Sequence, residues 1–344
     1  MLRSGACPER TLGASAEVMT NTRILVLGTG GTIAGIAGDA MRHDYQPGQI
    51  GIDEWLEDAG RYTLDVDFVG RQIANVGSEN MGPQIWKVLH EVICEAMEDD
   101  ALDGIIVTHG TDTAEETAFL LDLTLPLTKP VVLVGAMRPA DAVGSDGMRN
   151  FVNAVRVASA ESSKGRGVLL VMGDRVLAAR DARKVRTRGT DDAFRGFPRG
   201  SVAIVTPSAL EWFGNPWRDD PSPRFAFPSE FPEVPILYAA GGIRPSMAGR
   251  LLEDAQGVVV AGVGEGNMPE AVRAMLAKRA ANGLLVIRAS RVDEGLVDRE
   301  PEDDANRFVA SRALNPQKSR ILAMVLLANG VTDPAKVQAV FDRP

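Results

Sequence analysis

The sequence predicts an α/β protein with two domains, each a mostly parallel sheet flanked by helices, the larger one N-terminal. Short apolar runs rich in β-branched residues, such as residues 105–107, alternate with segments whose apolar residues recur at helical spacing. Strands of continuous apolar composition are buried on both faces, as in parallel sheets covered by helices. The pattern stops at residues 212–235, which hold six prolines and have no periodicity, and then restarts. This interruption predicts a domain boundary.

Chain length and the proline-rich interruption together divide the chain. The 344 residues are enough for about two domains of ordinary size. We expect an N-terminal domain over residues 23–211, a linker over 212–235 and a C-terminal domain over 236–344. Residues 1–22 hold no apolar core, so we expect a disordered or non-native extension there, with Met19 as the natural start.

The N-terminal part alternates predicted strands and helices. Strands are expected at residues 24–27, 64–69, 105–107, 131–134, 167–172 and 201–205. Helices are expected near residues 84–97, 114–125 and 148–159. Residues 174–190 form a charged stretch that includes Arg180-Asp181-Ala182-Arg183-Lys184, and we expect a loop with a solvated basic surface.

The C-terminal part repeats the alternation on a smaller scale. Strands are expected at residues 236–239, 257–261 and 284–287. Helices are expected near residues 246–254, 269–281, 316–327 and 333–341. A second parallel sheet covered by helices follows from this order.

Composition excludes several classes of partner. The net charge is −9, so nucleic acid and anionic membrane surfaces are not expected as main partners. No apolar run approaches the ~20 residues of a membrane span. Neither Cys7 nor Cys94 lies in a CxxC pair, and Cys94 is expected as a free buried thiol in a reducing compartment. Because the N-terminus lacks the apolar core of a secretory signal, we expect a cytoplasmic protein.

Two glycine-containing turns follow predicted strands. Residues 28–35 do not fit the dinucleotide fingerprint, because Ile33 stands where its third glycine belongs. Thr32 is the candidate reactive side chain of this turn. The second turn, His109-Gly110-Thr111-Asp112-Thr113, joins a strand to a helix, the position where open α/β sheets bind ligands. Helix capping is the alternative explanation of Thr111 and Asp112.

Two further loops carry candidate residues. Residues 36–51 have no helical or strand period and include Tyr45, which is either part of a functional loop or a surface aromatic. Residues 75–81 lie between a predicted strand and a predicted helix, and they contain Ser78 and Glu79.

The two turns together resemble the signature motifs of the bacterial-type L-asparaginases. Further matches lie at residues 134–139 (VGAMRP), 290–292 (SRV) and 314–318 (LNPQK), and the resemblance runs from Arg23 to the C-terminus. It implies a larger N-terminal and a smaller C-terminal α/β domain, and a homotetramer built from two intimate dimers. It also implies active sites between the N-terminal domain of one subunit and the C-terminal domain of its partner, and no metal or organic cofactor.

The resemblance assigns roles to residues of the first strand ends. Thr32 matches the family's primary nucleophile, and Tyr45 matches the tyrosine on a flexible loop that contacts this threonine. Ser78 and Glu79 match the pair that holds the substrate's α-carboxylate and α-amino groups.

The resemblance also assigns roles to residues of the later strand ends and of the C-terminal domain. Thr111, Asp112 and Lys184 match the second threonine and its Asp–Lys partners. Ala136 matches a backbone contributor to the amide-binding pocket, and Glu300 matches an acidic residue donated across the dimer interface, with Glu302 and Asp303 close by.

The implied activity is hydrolysis of the side-chain amide of L-asparagine by a threonine nucleophile through an acyl-enzyme. Many family members have Gln where this chain has Glu79, and we associate Glu there with tolerance of L-glutamine; a glutaminase-asparaginase is therefore an alternative. The C-terminal stretch at residues 239–242 has no side chain to match the Asn that some members supply near the substrate amine. From a different class, a non-catalytic amino-acid sensor uses the same pocket, although binding alone does not require two threonines.

Other hydrolase classes and a related subunit type fit the sequence poorly. His90 begins a metalloprotease-like HExxH motif, but Cys94 occupies the second His position. Val143 stands two residues before Ser145, where a serine-hydrolase elbow has a glycine. An amidotransferase subunit acting on aminoacyl-tRNA usually has an extra N-terminal domain, and the net negative charge also counts against it. We expect His109 to have a structural hydrogen-bonding role.

Overall fold

The computed structural model describes residues 22–37, 48–62 and 65–343. Within these residues the chain is α/β with two separate sheets flanked by helices, as predicted. None of the helices in these ranges is long and apolar enough to cross a membrane. Cys94 is free, as expected, but it is half-buried rather than fully buried.

The larger sheet has eight strands and occupies the N-terminal part. In chain order the strands of this part are β1 (Thr22–Gly30), β2 (Val66–Val76), β3 (Gly104–Thr108), β4 (Val131–Val134), β5 (Val168–Met172), β6 (Arg175–Ala178), β7 (Ala182–Lys184), β8 (Phe194–Gly196), β9 (Ala203–Val205) and β10 (Leu210–Trp212). The sheet order is β10-β9-β6-β5-β4-β3-β1-β2, and β7 pairs with β8 in a separate antiparallel ribbon. From β2 to β5 all pairings are parallel, whereas β5 to β10 pair antiparallel.

Helices cover both faces of this sheet because alternate strand residues point to opposite sides. The helices are α1 (Ile52–Ala59), α2 (Pro83–Glu98), α3 (Ala114–Thr124) and α4 (Gly147–Ala158). Val26 packs in one apolar cluster with Phe151 of α4, and the next residue, Leu27, packs in the opposite cluster with Leu89 of α2. All four side chains are almost fully buried, which explains the continuous apolar composition of the strands.

The C-terminal part is a smaller α/β unit. Its strands are β11 (Ile236–Tyr238), β12 (Gly257–Gly262), β13 (Leu285–Ser290) and β14 (Phe308–Ala310), which pair in that order and all parallel. Its helices are α5 (Pro245–Leu251), α6 (Glu270–Ala281), α7 (Pro301–Asn306), α8 (Pro316–Ala328) and α9 (Pro334–Phe341).

A shared apolar cluster connects the N-terminal and C-terminal parts of the chain. Phe119 and Leu120 of α3 pack in one cluster with Leu322 of α8, and phenylalanines of the proline-rich segment, among them Phe227 and Phe231, pack against the same cluster. Burial of large side chains from both units therefore fixes α8 against α3, close to the turn that carries Thr111.

The expectation of a solvated loop at residues 174–190 is wrong. This stretch contains β6 and β7, and both Asp181 and Arg183 are buried. The Arg183 guanidinium donates to the carbonyl oxygens of Asp293 and Ala313 and lies over the ring of Phe197, with its central carbon 4.7 Å from the ring centroid. These partners offset the cost of burying the guanidinium charge. Because they are distant in sequence from Arg183, hydrophobic periodicity does not predict these contacts.

The structure contains elements that the apolar pattern did not predict. β2 runs to Val76 and is followed by a 3-10 helix at Ser78–Asn80, where a loop was expected. Helix α7 was missed because its sequence, PEDDAN, carries no apolar stripe; it is held at its start by a capping box between Glu300 and Asp303.

Candidate active site

The carboxyl ends of neighbouring parallel strands bring the predicted turns together. Gly30, the last residue of β1, and Gly31, directly after it, have φ of 99° and 81°, values that favour glycine. A Cβ on Gly31 would lie 2.4 Å from backbone atoms of Gly110, so the turn after β1 packs backbone against backbone on the turn after β3. Thr32, only 6% exposed, begins the short 3-10 helix that follows. The two turns, 79 positions apart in sequence, are thus direct neighbours in space.

Ser78 links the loop after β2 to the turn that carries Thr111. Its Oγ accepts a hydrogen bond from the backbone N–H of Asp112 at 3.0 Å, and its carbonyl oxygen accepts one from the Thr113 hydroxyl at 2.7 Å. A Cβ on Gly110 would lie 2.8 Å from the Ser78 side chain. Ser78 is buried while Glu79 is exposed, so the serine is fixed and the glutamate faces solvent.

Lys184 completes a three-residue constellation with the second turn. From the end of β7, its Nζ donates to Thr111 Oγ1 at 2.8 Å and to Asp112 Oδ1 at 2.6 Å. The lysine side chain is 16% exposed and the Asp112 side chain 64% exposed. The ammonium therefore rests beside a threonine hydroxyl at the edge of solvent, where it favours negative charge on that oxygen.

The backbone after β4 lies against the same turn. A Cβ on Gly135 would lie 2.7 Å from the carbonyl oxygen of His109 and 3.0 Å from Cγ2 of Thr111. Ala136 follows and is buried. The Asp146 carboxylate, which the sequence did not single out, accepts the backbone N–H groups of Met137 at 3.1 Å and Arg138 at 3.0 Å. The loop that contains the predicted backbone contributor Ala136 is therefore fixed.

His109 is structural, as expected. Its Nδ1 lies 2.6 Å from the carbonyl oxygen of Gly110, and its Nε2 lies 2.9 Å from Thr117 Oγ1. Because a carbonyl oxygen can only accept, the imidazole proton lies on Nδ1, and Nε2 accepts the Thr117 hydroxyl proton. The Thr117 oxygen in turn accepts from Trp86 Nε1 at 2.9 Å. Full burial lowers the pKa of His109 to about 4, so the ring is neutral at pH 7.

A buried charged network from the C-terminal domain supports this turn. Lys318, at the start of α8, donates to Glu115 Oε2 at 2.8 Å and to the carbonyl oxygen of Ala182. Asn315 donates to the same Oε2 at 2.8 Å. Glu115 lies three residues after Asp112, and Ala182 two residues before Lys184, so one lysine holds both halves of the constellation. Burial lowers the pKa of Lys318, against the opposing effect of Glu115.

Comparison with known proteins places the chain in a family. A model described as "Asparaginase, N-terminal" matches residues 23–218, and one described as "Glutaminase/Asparaginase C-terminal domain" matches residues 233–341. The chain belongs to the asparaginase family. The predicted resemblance is thereby confirmed.

Relatives of known name match the chain over nearly its full length. L-asparaginase 2 of Escherichia coli K12 is 37% identical over 339 residues, and the probable periplasmic L-asparaginase of Haemophilus influenzae is 39% identical over 343; each match covers 96% of both chains. Glutaminase-asparaginase of Pseudomonas fluorescens is 34% identical, covering 94% of this chain and 92% of that protein. The crystal structure of a probable cytoplasmic L-asparaginase from Campylobacter jejuni matches with a TM-score of 0.89 and 35% identity, covering 94% of this chain and 100% of that one.

Two of the predicted site residues of this asparaginase-family chain are not among the contacts described above. Tyr45 lies outside the described residues. Glu300 belongs to the C-terminal domain, where it caps α7 and its carboxylate lies 3.7 Å from the buried guanidinium of Arg288. The predicted role of Glu300 is in the active site of a neighbouring subunit, and it stays a prediction.

The charged network was the part of the site that sequence reasoning missed. Lys318 and Asn315 belong to the stretch LNPQK, which carried the family resemblance but was given no role. Glu115 was interpreted only as an acidic residue in the first turn of a helix. A buried pair 203 positions apart gives no local signal in the sequence.

Proposed function

We propose that this chain hydrolyses the side-chain amide of L-asparagine to L-aspartate and ammonia, with Thr32 as the nucleophile. The observation that carries the proposal is the hydrogen-bonded set of Lys184, Thr111 and Asp112 on the turn that packs against the turn of Thr32. A binding site for an amino acid requires neither two threonines on touching turns nor an ammonium aimed at a hydroxyl, whereas acyl transfer does use such groups.

The first half-reaction forms an acyl-enzyme. The Thr32 oxygen attacks the amide carbon and its proton passes to a neighbouring group. That group delivers the proton to the amide nitrogen as the tetrahedral intermediate collapses, which breaks the C–N bond and releases ammonia. Tyr45 is the proposed proton acceptor, with Glu300 donated across a dimer interface. Backbone N–H groups at the turn, such as that of Thr111, are proposed to stabilise the oxyanion. Losing one such donor typically costs about 3 kcal/mol of transition-state stabilisation.

The second half-reaction returns Thr32 to its free form. Water attacks the ester, the bond between the acyl group and the Thr32 oxygen breaks, and L-aspartate leaves. We assign activation of this water to Thr111, whose hydroxyl takes a proton from the attacking water while its own proton passes to the departing Thr32 oxygen. The Lys184 ammonium, 2.8 Å from Thr111 Oγ1, stabilises the partial negative charge that this transfer places on that oxygen. Asp112 orients the lysine through its 2.6 Å contact.

Substrate recognition rests on groups of both signs. Because Ser78 Oγ already accepts the Asp112 N–H, its own proton is available for the substrate's α-carboxylate. The exposed carboxylates of Asp112 and Glu79 face solvent beside it and are suited to the α-ammonium group. Backbone groups near Ala136 complete the proposed amide pocket.

A glutaminase-asparaginase is the second candidate. Glu79 favours it at the sequence level, and the P. fluorescens relative carries both activities in its name. The proposal of a cytoplasmic homotetramer follows the family resemblance; among the relatives, one name includes "cytoplasmic" and another "periplasmic".

The test is ammonia release by the purified protein on L-asparagine and L-glutamine side by side. We expect turnover of L-asparagine; comparable turnover of L-glutamine identifies the second candidate, and Glu79→Gln should then lower the glutamine rate relative to the asparagine rate. Binding of either amino acid in a calorimeter without ammonia release contradicts the proposal and identifies a sensor.

A further inference from the structure

An arginine-lined cavity lies on the opposite edge of the large sheet from the threonine turns. It has a volume of about 530 Å³ and is bounded by the amino end of β5, the end of β6, the segment after β10 and the chain's C-terminal residues. Ligand pockets in proteins span roughly 300–1,000 Å³, so the volume suits a small molecule. Six arginines and four aspartates line it, in a chain whose net charge is −9.

Three of the four aspartates of this arginine-lined cavity accept hydrogen bonds from groups other than its arginines. Asp122 accepts the backbone N–H of Val168 at 2.7 Å, and Asp342 accepts from Gln338 at 3.0 Å. Asp220 accepts the backbone N–H of Ser222 at 2.8 Å. Asp122 also lies 3.9 Å from Arg218, so the aspartates offset part of the positive charge, but the six arginines outnumber the four aspartates.

Arg180 is only loosely paired: its Nε and the Asp181 Oδ1 atom that it faces are both buried without a hydrogen-bond partner within the described residues. The Arg180 side chain is 29% exposed, and its nearest carboxylate, Asp181, is 3.9 Å away, beyond hydrogen-bond distance. Asp181 is bonded instead to Arg199, at 2.6 Å, so one carboxylate serves two guanidinium groups.

Neighbouring arginines add to the positive charge around Arg180. Burial lowers the pKa of Arg180, and the positive charges of Arg199 and Arg224 lower it further, against the opposing effects of Asp181 and Asp122. An arginine does not lose its proton at physiological pH, so the unfavourable charge persists until an anion approaches. The exposed ring of Trp217 lies beside the group, 5.4 Å from the guanidinium carbon of Arg199.

We propose that the arginine-lined cavity is a binding site for a small oxyanion, a phosphate or carboxylate group, held between Arg180, Arg199 and Arg224. Planar guanidinium groups donate in pairs to such oxygens, and all three of these arginines line the cavity. Because Val168 is the first residue of β5 and Thr111 follows the last residue of β3, this site and the threonine turns lie at opposite ends of the parallel strands. The site is therefore separate from the proposed amide-hydrolysing site.

The test is isothermal titration of the full-length protein at low ionic strength with inorganic phosphate and, separately, glucose 6-phosphate. We expect saturable binding of inorganic phosphate. Tighter binding of glucose 6-phosphate than of inorganic phosphate would support the proposal and identify the natural ligand as an organic phosphate. Arg180→Gln should weaken phosphate binding about tenfold or more, since a charge-assisted hydrogen bond is lost. Arg250→Gln is the matched control, because this exposed arginine on α5 makes the same charge change away from the cavity.

Two further measurements keep the result interpretable. Arg224 is exposed, so Arg224→Gln should fold normally and still weaken phosphate binding, while Thr32→Ala should bind phosphate like the wild type. Phosphate should raise the melting temperature of the wild type but not of Arg180→Gln. The proposal is overturned if neither anion binds saturably, or if Arg180→Gln and Arg250→Gln bind phosphate equally.

Discussion

Replacing Lys318 by Met is the sharpest test of how the C-terminal domain supports the catalytic turn. The substitution leaves Glu115 buried without its cation and removes the bond to the Ala182 carbonyl. The two side chains are 1% and 5% exposed, so solvent does not screen the loss. Removing one partner of a buried ion pair costs about 3–5 kcal/mol, and we expect that loss in the free energy of unfolding.

The assay is urea denaturation of the wild type, the two single variants and the double variant Glu115→Gln/Lys318→Met at pH 7. The double variant should recover most of the loss, because it leaves no unpaired buried charge. At temperatures where Lys318→Met remains folded, kcat should fall more than KM rises, since the displaced groups are Lys184 and the turn of Thr111. A loss below about 1 kcal/mol for Lys318→Met, or no recovery in the double variant, would refute the reasoning.

Three further outcomes follow from the site. Lys184→Met should lower kcat by about 10²- to 10⁴-fold in an ammonia-release assay, with near-normal unfolding, because Thr111 loses its cation. Gly31→Ala should abolish turnover or folding, measured by the same assay and circular dichroism, because its Cβ meets the Gly110 backbone at 2.4 Å. His109 has a folded pKa of about 4 against 6.5 unfolded, so its stabilising effect is complete above pH 6.5 and falls by about 3 kcal/mol as pH drops to 4. Urea unfolding of wild type and His109→Gln across this range checks it.

The positions of the threonine turns were predictable because they depend on local composition. Apolar strands such as β3 and β4 were predicted within a residue or so of their observed bounds. Parallel strands in turn place their carboxyl ends on one edge, so Thr32, Ser78 and Thr111 were expected to meet. The sequence did not show that the backbone at Gly31 packs directly against that of Gly110.

What the sequence could not show depends on contacts between distant residues. Lys184 was placed through the resemblance, whereas its local stretch was expected to be a solvated surface; the buried partners of Arg183 and Lys318 reverse that expectation. Helix α7 forms through side-chain capping by Glu300 and Asp303 rather than through an apolar stripe, which a periodicity analysis does not detect.

The most direct test of the central claim is to find which residue carries the acyl group. The wild type would be mixed with L-asparagine, quenched in acid during turnover, digested and analysed by mass spectrometry. We expect an aspartyl adduct on the peptide that contains Thr32, and Thr32→Ala should lose both the adduct and ammonia release while unfolding like the wild type. An adduct on Thr111 instead, or a Thr32→Ala variant with undiminished turnover, would contradict the account.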